Sequence, residues 1–206
     1  MKNILLKPFE NPVTQLSLII ILAFIAQSYS AGLGLMEKYF VLQAPLFEHP
    51  WTVITSVFAH SGLNHLTSNL TGLFLFGIPV AWKASRPRFY IFFIFTGSMA
   101  GISQVLTSYY LYDLGLISQS LGVLGASGAI FALLGYLITS NRISNFTSNY
   151  IPVPAKLRYL LYIGTAGWIT VSTASRGSAL IGHFTGLVLG LLAGKKNILN
   201  YESNSV

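Results

Sequence analysis

The 206-residue sequence contains no cysteine and few charged residues. The lack of cysteine excludes disulfide bonds, thiolate metal ligands and a cysteine nucleophile. Charged residues make up 8% of the chain, whereas a soluble domain carries about 25%. With 53% hydrophobic residues and a mean hydropathy of +0.64, the chain has too few polar groups for a water-facing surface. The composition therefore predicts that a lipid bilayer surrounds most of the protein.

Acidic residues are scarce, with 5 Asp and Glu against 12 Lys and Arg, and the net charge is +7. A basic chain can bind nucleic acid. Here, however, the cations are spread over short polar gaps between apolar runs, and membrane orientation explains that distribution better. We therefore expect no nucleic-acid partner.

Six apolar runs that are candidate membrane spans follow one another along the chain. They cover about residues 14–33, 63–82, 89–110, 127–139, 157–173 and 178–194. The sequence thus predicts an all-α integral membrane protein with a six-helix bundle, and a single membrane domain over residues 1–206. We expect the first run to be a retained helix, although its basic start resembles that of a signal peptide.

Lys and Arg fall mainly on one side of this predicted topology. Ten of the 12 cations flank the ends of the runs that share a side, and only Lys38 and Arg176 fall opposite. The positive-inside rule then predicts cytoplasmic N- and C-termini, which an even number of spans also requires. The segment of residues 34–62 is long, apolar and outside, so we expect it to lie in the membrane interface.

Among the polar residues of these runs, which have no charged residue at their centres, four stand out: His65, Asn69, Ser127 and His183. Polar groups in a membrane are costly and often functional. All four fall in the outer part of the bilayer, because their three runs cross it inward. The run that begins at Ser127 is short, so Ser127 is predicted to start a helix below the outer surface. Free N–H groups at such a helix start can stabilise an oxyanion.

Glycine recurs at every fourth position of the last run, which leaves one smooth helix face. These residues are Gly182, Gly186, Gly190 and Gly194. Gly128, Ala132 and Gly135 form a second small-residue face, in the short fourth run of residues 127–139. Because such faces let membrane helices approach closely, their packing is predicted to bring Ser127 within reach of His183. That contact is the minimum for an activated serine nucleophile.

No acidic residue is placed in a span to orient His183, as the aspartate of a soluble serine-protease triad does. Hydrolase chemistry would therefore use a Ser–His dyad, with His183 oriented by packing against Phe131. His65 and Asn69 are four residues apart on one helix face and suit an oxyanion hole, together with the Ser127 N–H. His60 lies one residue off that face, at the membrane edge.

Other interpretations of these residues stay open on spacing alone. A serine at a helix start is often a cap, and His65 with Asn69 could be hydrogen-bonding glue between helices. His60, His65 and His183 could also ligate zinc or copper. The metal interpretation has no carboxylate near it and leaves the Gly-Ala-Ser-Gly turn unexplained. We expect neither a metal nor a cofactor.

Three motifs in order along the chain resemble those of the rhomboid intramembrane serine proteases in their six-span form. The first runs from His60 through His65 to Asn69, the second is Gly125-Ala126-Ser127-Gly128, and the third is His183 with its following glycines. The resemblance covers about residues 50–190.

The resemblance implies that Ser127 is the nucleophile, that His183 is the general base, and that His65 and Asn69 stabilise the oxyanion. It also implies supporting roles for a further set: Gly125, Gly128, Phe131, His60, Gly186 and Gly190. Substrates would be transmembrane proteins that are cut near the outer membrane face. The outer loop would lie partly in the bilayer, and the fifth span would gate lateral entry of the substrate.

The chain departs from the family pattern at Thr52, where many members have Arg, at Phe131, where many have Tyr, and at Gly182, where Ala is common. Two alternatives remain: a non-catalytic rhomboid-like protein that binds membrane segments, and a transporter or channel. The second has no inverted repeat or membrane-centre charge to favour it. Because the N-terminus is not Arg-rich, we expect a prokaryotic plasma membrane rather than an organelle.

Overall fold

The structure is a computed structural model. It describes residues 10–120, 122–140 and 179–200, together with Leu157, Leu160 and Gly164. Within these residues the regular structure is helical, and the β-structure amounts to two isolated bridges, Leu42–Val123 and Ala84–Asn200. The all-α prediction holds for this part of the chain.

Seven helices account for the described fold. They are α1 (Pro12–Gly32), α2 (Met36–Phe40), α3 (Thr52–Phe58), α4 (Leu63–Gly72, continued through Leu73–Gly77 and Ile78–Ala81), α5 (Arg86–Asp113), α6 (Ser127–Thr139) and α7 (Leu180–Lys195). Five of these match predicted spans to within a few residues. The remaining predicted span, residues 157–173, falls largely outside the described residues.

By length and composition, α1 and α5 are able to cross a membrane, and α6 and α7 are shorter apolar helices. The 28 residues of α5 give about 42 Å of helix, which exceeds the roughly 30 Å hydrocarbon core. The predicted span was shorter because apolarity fades at both ends. The helix itself starts at Arg86, and Pro87 favours a helix start because its φ is already fixed at a helical value. It ends at Asp113, two residues before Gly115, which has a positive φ.

Helix α1 begins at a defined cap and presents two different faces. The Asn11 side chain accepts a hydrogen bond from the Val13 N–H at 2.9 Å. Val13, Leu16 and Ile20 are buried in the protein core, whereas Leu22 on the other side is 64% exposed. An apolar side chain exposed on an apolar helix is expected where lipid, rather than water, covers the surface.

Helix α4 contains a π-helical turn at Leu73–Gly77. Pro79 follows directly; it has no N–H, and its ring crowds the carbonyl one turn earlier, so regular α-helical bonding cannot continue there. The turn separates the N-terminal segment of α4, which carries His65 and Asn69, from the C-terminal end of the helix.

Helix α6 lies at the centre of the described bundle, against α4, α5 and α7. Where α6 meets α7, main-chain atoms of one helix contact main-chain atoms of the other. A Cβ added to Gly186 would overlap the Gly128 carbonyl, and one added to Gly190 would overlap the Ala132 carbonyl. The predicted packing of the two small-residue faces is therefore present.

The segment between α1 and α4 carries exposed aromatic side chains, including Phe47 at 81% exposure and Trp51 at 42%. The Trp51 indole Nε1 donates to the Lys38 carbonyl at 2.9 Å. Thr52, at the position where the resembling family often has Arg, starts α3 and donates from its hydroxyl to the His49 carbonyl at 2.6 Å. The placement of this segment in the membrane interface stays a prediction.

Both ends of the described chain meet at the start of α5. Arg86 pairs with Glu10 at 3.1 Å, and Arg88 donates to the Asn200 carbonyl at 2.8 Å. The two ends thus lie at the same end of the bundle, as an even number of spans requires. The ion pair is nearly half exposed and contributes little to stability.

We expect Gly186→Ala to lower the free energy of unfolding by about 1–3 kcal/mol, because the added Cβ meets a carbonyl that cannot move without shifting α6. The matched control is Gly32→Ala, at a helical glycine whose Cβ would meet nothing within 4 Å. Unfolding of both variants would be followed in detergent micelles. Equal unfolding midpoints for the two would contradict the described contact.

Candidate active site

Ser127 and His183 lie at the starts of the two helices that the glycine contacts hold together. Ser127 is the first residue of α6, and His183 lies in the first turn of α7. Their Oγ and Nε2 atoms are 2.9 Å apart, within hydrogen-bonding distance. The predicted proximity is present, whereas the catalytic roles stay predictions.

The His183 ring is stacked on Phe131, with ring centroids 4.5 Å apart and planes at 12°. Its Nδ1 is buried and has no hydrogen-bond partner among the described residues. Within that part of the chain, aromatic packing and the bond to Ser127 therefore fix the orientation of the imidazole. This is the arrangement that the sequence predicts for Phe131, one turn after Ser127.

The start of α7 is also anchored by polar side chains of α5. Gln104 accepts a hydrogen bond from the Gly182 N–H at 3.1 Å through its Oε1, and Ser103 donates to the Thr185 hydroxyl at 2.9 Å. Because α7 has no side-chain cap of its own, Gln104 supplies the missing acceptor. The sequence analysis did not identify Gln104; an amide inside a predicted span was the available signal.

His65 and Asn69 project from successive turns of α4 toward the same region. The Asn69 Nδ2 donates to the His65 carbonyl at 2.9 Å, and the buried Asn69 Oδ1 has no partner among the described residues. A Cβ built on Gly125 would lie 2.9 Å from His65 Nε2 and 3.9 Å from Ser127 Oγ. The Nε2 edge of the His65 ring therefore packs closely against Gly125, on the chain segment that leads directly into Ser127.

Gly125 occupies a backbone conformation that side chains rarely adopt, with φ +129°. Its N–H donates to the Ser56 carbonyl at 2.8 Å, and Val123 two residues earlier exchanges backbone hydrogen bonds with Leu42. These bonds hold the loop that delivers Ser127 to the start of α6. The role of glycine here is to turn the chain and leave room for His65.

His60 lies beside His65 rather than beside Ser127. The two rings meet edge to face with centroids 5.0 Å apart, and His60 is fully buried. The three histidines considered as metal ligands do not form a group: among the described residues, no three His, Asp or Glu side chains are placed to hold a metal ion. His183 Nε2 instead faces Ser127 Oγ.

Two residues that the sequence analysis did not identify contact the His60–His65 region. Gln27 of α1 is buried and hydrogen-bonded to the His60 backbone through both ends of its amide. The Ser61 hydroxyl lies 3.1 Å from His65 Nδ1. Gln27 could not be found from spacing, because its partner His60 lies 33 residues further along the chain. Ser61 precedes the start of α4, so helical spacing does not predict its contact with His65.

A small cleft opens beside the Ser–His pair. Its walls come from α3, α5 and the loop before α6, and include Val57, Ala100 and Leu124. Glycine and small apolar side chains make up most of the lining.

Known proteins with similar sequences agree on one family. The family model described as a rhomboid domain matches residues 48–198. Rhomboid protein 1, mitochondrial, of Saccharomyces cerevisiae is 28% identical over 77% of this chain and 45% of its own length. Rhomboid-type serine protease 2 of Eremothecium gossypii is 31% identical over 66% of this chain and 49% of its own. Rhomboid protease GlpG of Serratia proteamaculans is 26% identical over 69% and 46%. The chain spans less than half the length of each relative.

Gly125→Ala is expected to destabilise the protein more than a matched change, Gly115→Ala. Both glycines have positive φ, +69° at Gly115 and +129° at Gly125, so each alanine costs about 1–3 kcal/mol of backbone strain. Only at Gly125 does the Cβ also meet the His65 ring, which adds about 1–3 kcal/mol; nothing lies within 4 Å at Gly115. Thermal unfolding in micelles would measure both variants. A Gly115→Ala loss as large as that of Gly125→Ala would argue against the His65 contact.

Proposed function

Because the chain belongs to the rhomboid family, we propose that it is an intramembrane serine endopeptidase that cleaves transmembrane segments of membrane proteins with a Ser127–His183 dyad. The observation that carries the proposal is the 2.9 Å distance between Ser127 Oγ and His183 Nε2, on two helices held by backbone contact. Two of the relatives are named as proteases, which agrees with this activity.

In the proposed first step, His183 Nε2 accepts the Ser127 hydroxyl proton as Oγ attacks a substrate carbonyl carbon. His183 then returns the proton to the departing amine as the peptide bond breaks, which leaves an acyl group on Ser127. His183 then takes a proton from water as the water oxygen attacks the acyl carbon, and it returns that proton to Ser127 Oγ as the bond to the acyl group breaks. The water has to reach the site from outside the bilayer, since lipid supplies none.

Stabilisation of the oxyanion is assigned to three donors. His65 and Asn69 approach from α4, and the Ser127 N–H is free at the start of α6. A donor fixed in a low-dielectric site is worth more than one in water, because it needs no reorganisation as charge develops. The space between His65 Nε2 and Ser127 Oγ, beside Gly125, is where we place the developing negative charge.

For the whole chain we propose a single membrane domain of six spans over residues 1–206, with both termini cytoplasmic. The meeting of the chain ends at the start of α5 supports the even count. Lysine and arginine flank that end, so the Ser–His pair lies toward the outer face. A prokaryotic plasma membrane remains our expectation, although the yeast relative carries a mitochondrial name.

The alternative is a rhomboid-like protein that binds membrane segments without cutting them. Such proteins usually lack the serine or the histidine, whereas this chain has both, at hydrogen-bonding distance. The two functions separate in one experiment, because a binding protein would retain its partner after loss of the Ser127 hydroxyl and would release no fragments at any time.

Purified protein in liposomes is expected to cleave a single-span test substrate, and Ser127→Ala and His183→Ala are each expected to abolish cleavage. Removal of either member leaves no activated nucleophile, so the loss should exceed about 10³-fold. Fragments would be identified by mass spectrometry, and wild-type Ser127 should also react with a fluorophosphonate. His49→Ala, at a half-buried histidine outside the candidate site, is the control. Unchanged cleavage in both dyad variants would rule out the assignment.

His65→Ala and Asn69→Ala are expected to lower kcat by about 10²-fold, the usual cost of losing an oxyanion donor. Ser127 should still react in both, since the dyad itself is intact. Asn64→Ala on the same helix is the matched control. If either site variant raised KM alone, His65 or Asn69 would instead be a substrate-binding group.

A further inference from the structure

Two polar residues with no part in the proposed mechanism contact the segment that leads into His65. Gln27 belongs to α1 and Ser61 to the turn that precedes α4. They act on adjacent points of the chain, since Gln27 bonds the backbone of His60 and Ser61, the next residue, contacts His65 Nδ1. Their hydrogen bonds have a consequence for the proton on the His65 ring.

Gln27 holds one peptide unit on each side of His60. Its Oε1 accepts a hydrogen bond from the His60 N–H at 2.7 Å, and its Nε2 donates to the His60 carbonyl. The Gln27 side chain is 96% buried, so neither amide group has water as a substitute partner. This pair of bonds fixes the backbone that leads into Ser61.

Ser61 presents two groups to the same nitrogen of His65. Its backbone N–H donates to His65 Nδ1 at 3.4 Å, and its Oγ lies 3.1 Å from that atom. A backbone N–H can only donate, so Nδ1 has to be the acceptor. In a neutral imidazole the proton then resides on Nε2.

The Nε2 atom is the one that faces the proposed site of the oxyanion. It lies at the edge of the ring toward Gly125 and Ser127. With the proton on Nε2, His65 is a donor there; with the proton on Nδ1, it would present a lone pair and repel a developing negative charge. The tautomer therefore decides whether His65 helps or opposes the reaction.

We propose that Gln27 and Ser61 are positioning residues that hold His65 in its Nε2–H tautomer, with that N–H directed to the space beside Gly125. The proposal rests on the proposed function, because the donor has a use only where an oxyanion forms. The His60 ring packs edge to face against the His65 ring, with 5.0 Å between the ring centroids. Gln27 holds the backbone of His60 in place.

The tautomer can be read directly from the wild-type protein. Histidine labelled with ¹⁵N would be examined by NMR in micelles at about pH 8, where imidazole is neutral. His65→Ala identifies the His65 signals. We expect an unprotonated Nδ1 and a protonated Nε2, and we expect Gln27→Met to mix the two tautomers. A proton on Nδ1 in the wild type would overturn the proposal.

Kinetics test whether the tautomer matters. Ser61→Ala removes the hydroxyl, and Gln27→Met removes both bonds to His60 at similar side-chain volume. We expect each to lower kcat by about tenfold with KM unchanged, less than the loss of a donor itself. Ser61→Thr should restore the rate. Ser68→Ala, on the exposed side of α4 with its hydroxyl bonded to the Asn64 carbonyl, is the matched control.

The outcomes separate the two proposals. Wild-type protein that neither cleaves nor reacts with a fluorophosphonate refutes the proposed function, while the His65 spectrum still decides the tautomer. An active wild type with unchanged kcat in both Ser61→Ala and Gln27→Met refutes the positioning role alone. If Gln27→Met does not fold, as judged by its unfolding midpoint, Ser61→Ala and the wild-type spectrum carry the test.

Discussion

Contact between two backbones, where α6 meets α7, is the constraint on which the candidate site depends. The carbonyls of Gly128 and Ala132 lie where Gly186 and Gly190 have no side chains. In a bilayer, lipid is as apolar as leucine, so helices gain association energy from close packing rather than from hydrophobic burial. Only glycine gives this distance. A wider spacing would carry Ser127 out of reach of His183, because both are fixed to the first turns of their helices.

The cost of placing a charge in a membrane bears on how the proposed dyad would function without an acid. Placing a carboxylate behind His183 would bury a charge, and ionised groups within a membrane are costly. Stacking on Phe131 orients the imidazole with no charge at all. Nothing among the described residues bonds Nδ1, so an imidazolium formed in the proposed mechanism would be stabilised less than in a triad. We infer that precise placement of the donors around the oxyanion has to make up much of that difference.

Features that depend on residue type at a fixed spacing were predictable from sequence. The bounds of α6, the small-residue faces, the Ser127–His183 contact and the stacking of Phe131 all follow from helical periodicity. The length of α5 was underestimated, because apolarity marks the lipid-facing part of a helix and not its ends.

Contacts between distant segments were not predictable. Gln27 and His60 are 33 residues apart, and Gln104 and Gly182 are 78 apart. Each is a single polar residue whose partner is a backbone group, and backbone groups leave no pattern in a sequence. The π-helical turn of α4 is similar in this respect: Pro79 signals a disturbance, but not which form the backbone takes to accommodate it.

The backbone character of the α6–α7 contact also has a genetic consequence. A clash between two side chains is relieved when the neighbour is exchanged for a smaller residue. At Gly186 and Gly190 the neighbour is a main-chain carbonyl, which every amino acid carries. No substitution at Gly128 or Ala132 can make room for a larger residue on α7. Second-site suppressors of such mutations should therefore be absent from the facing positions, and arise, if anywhere, where they shift a whole helix.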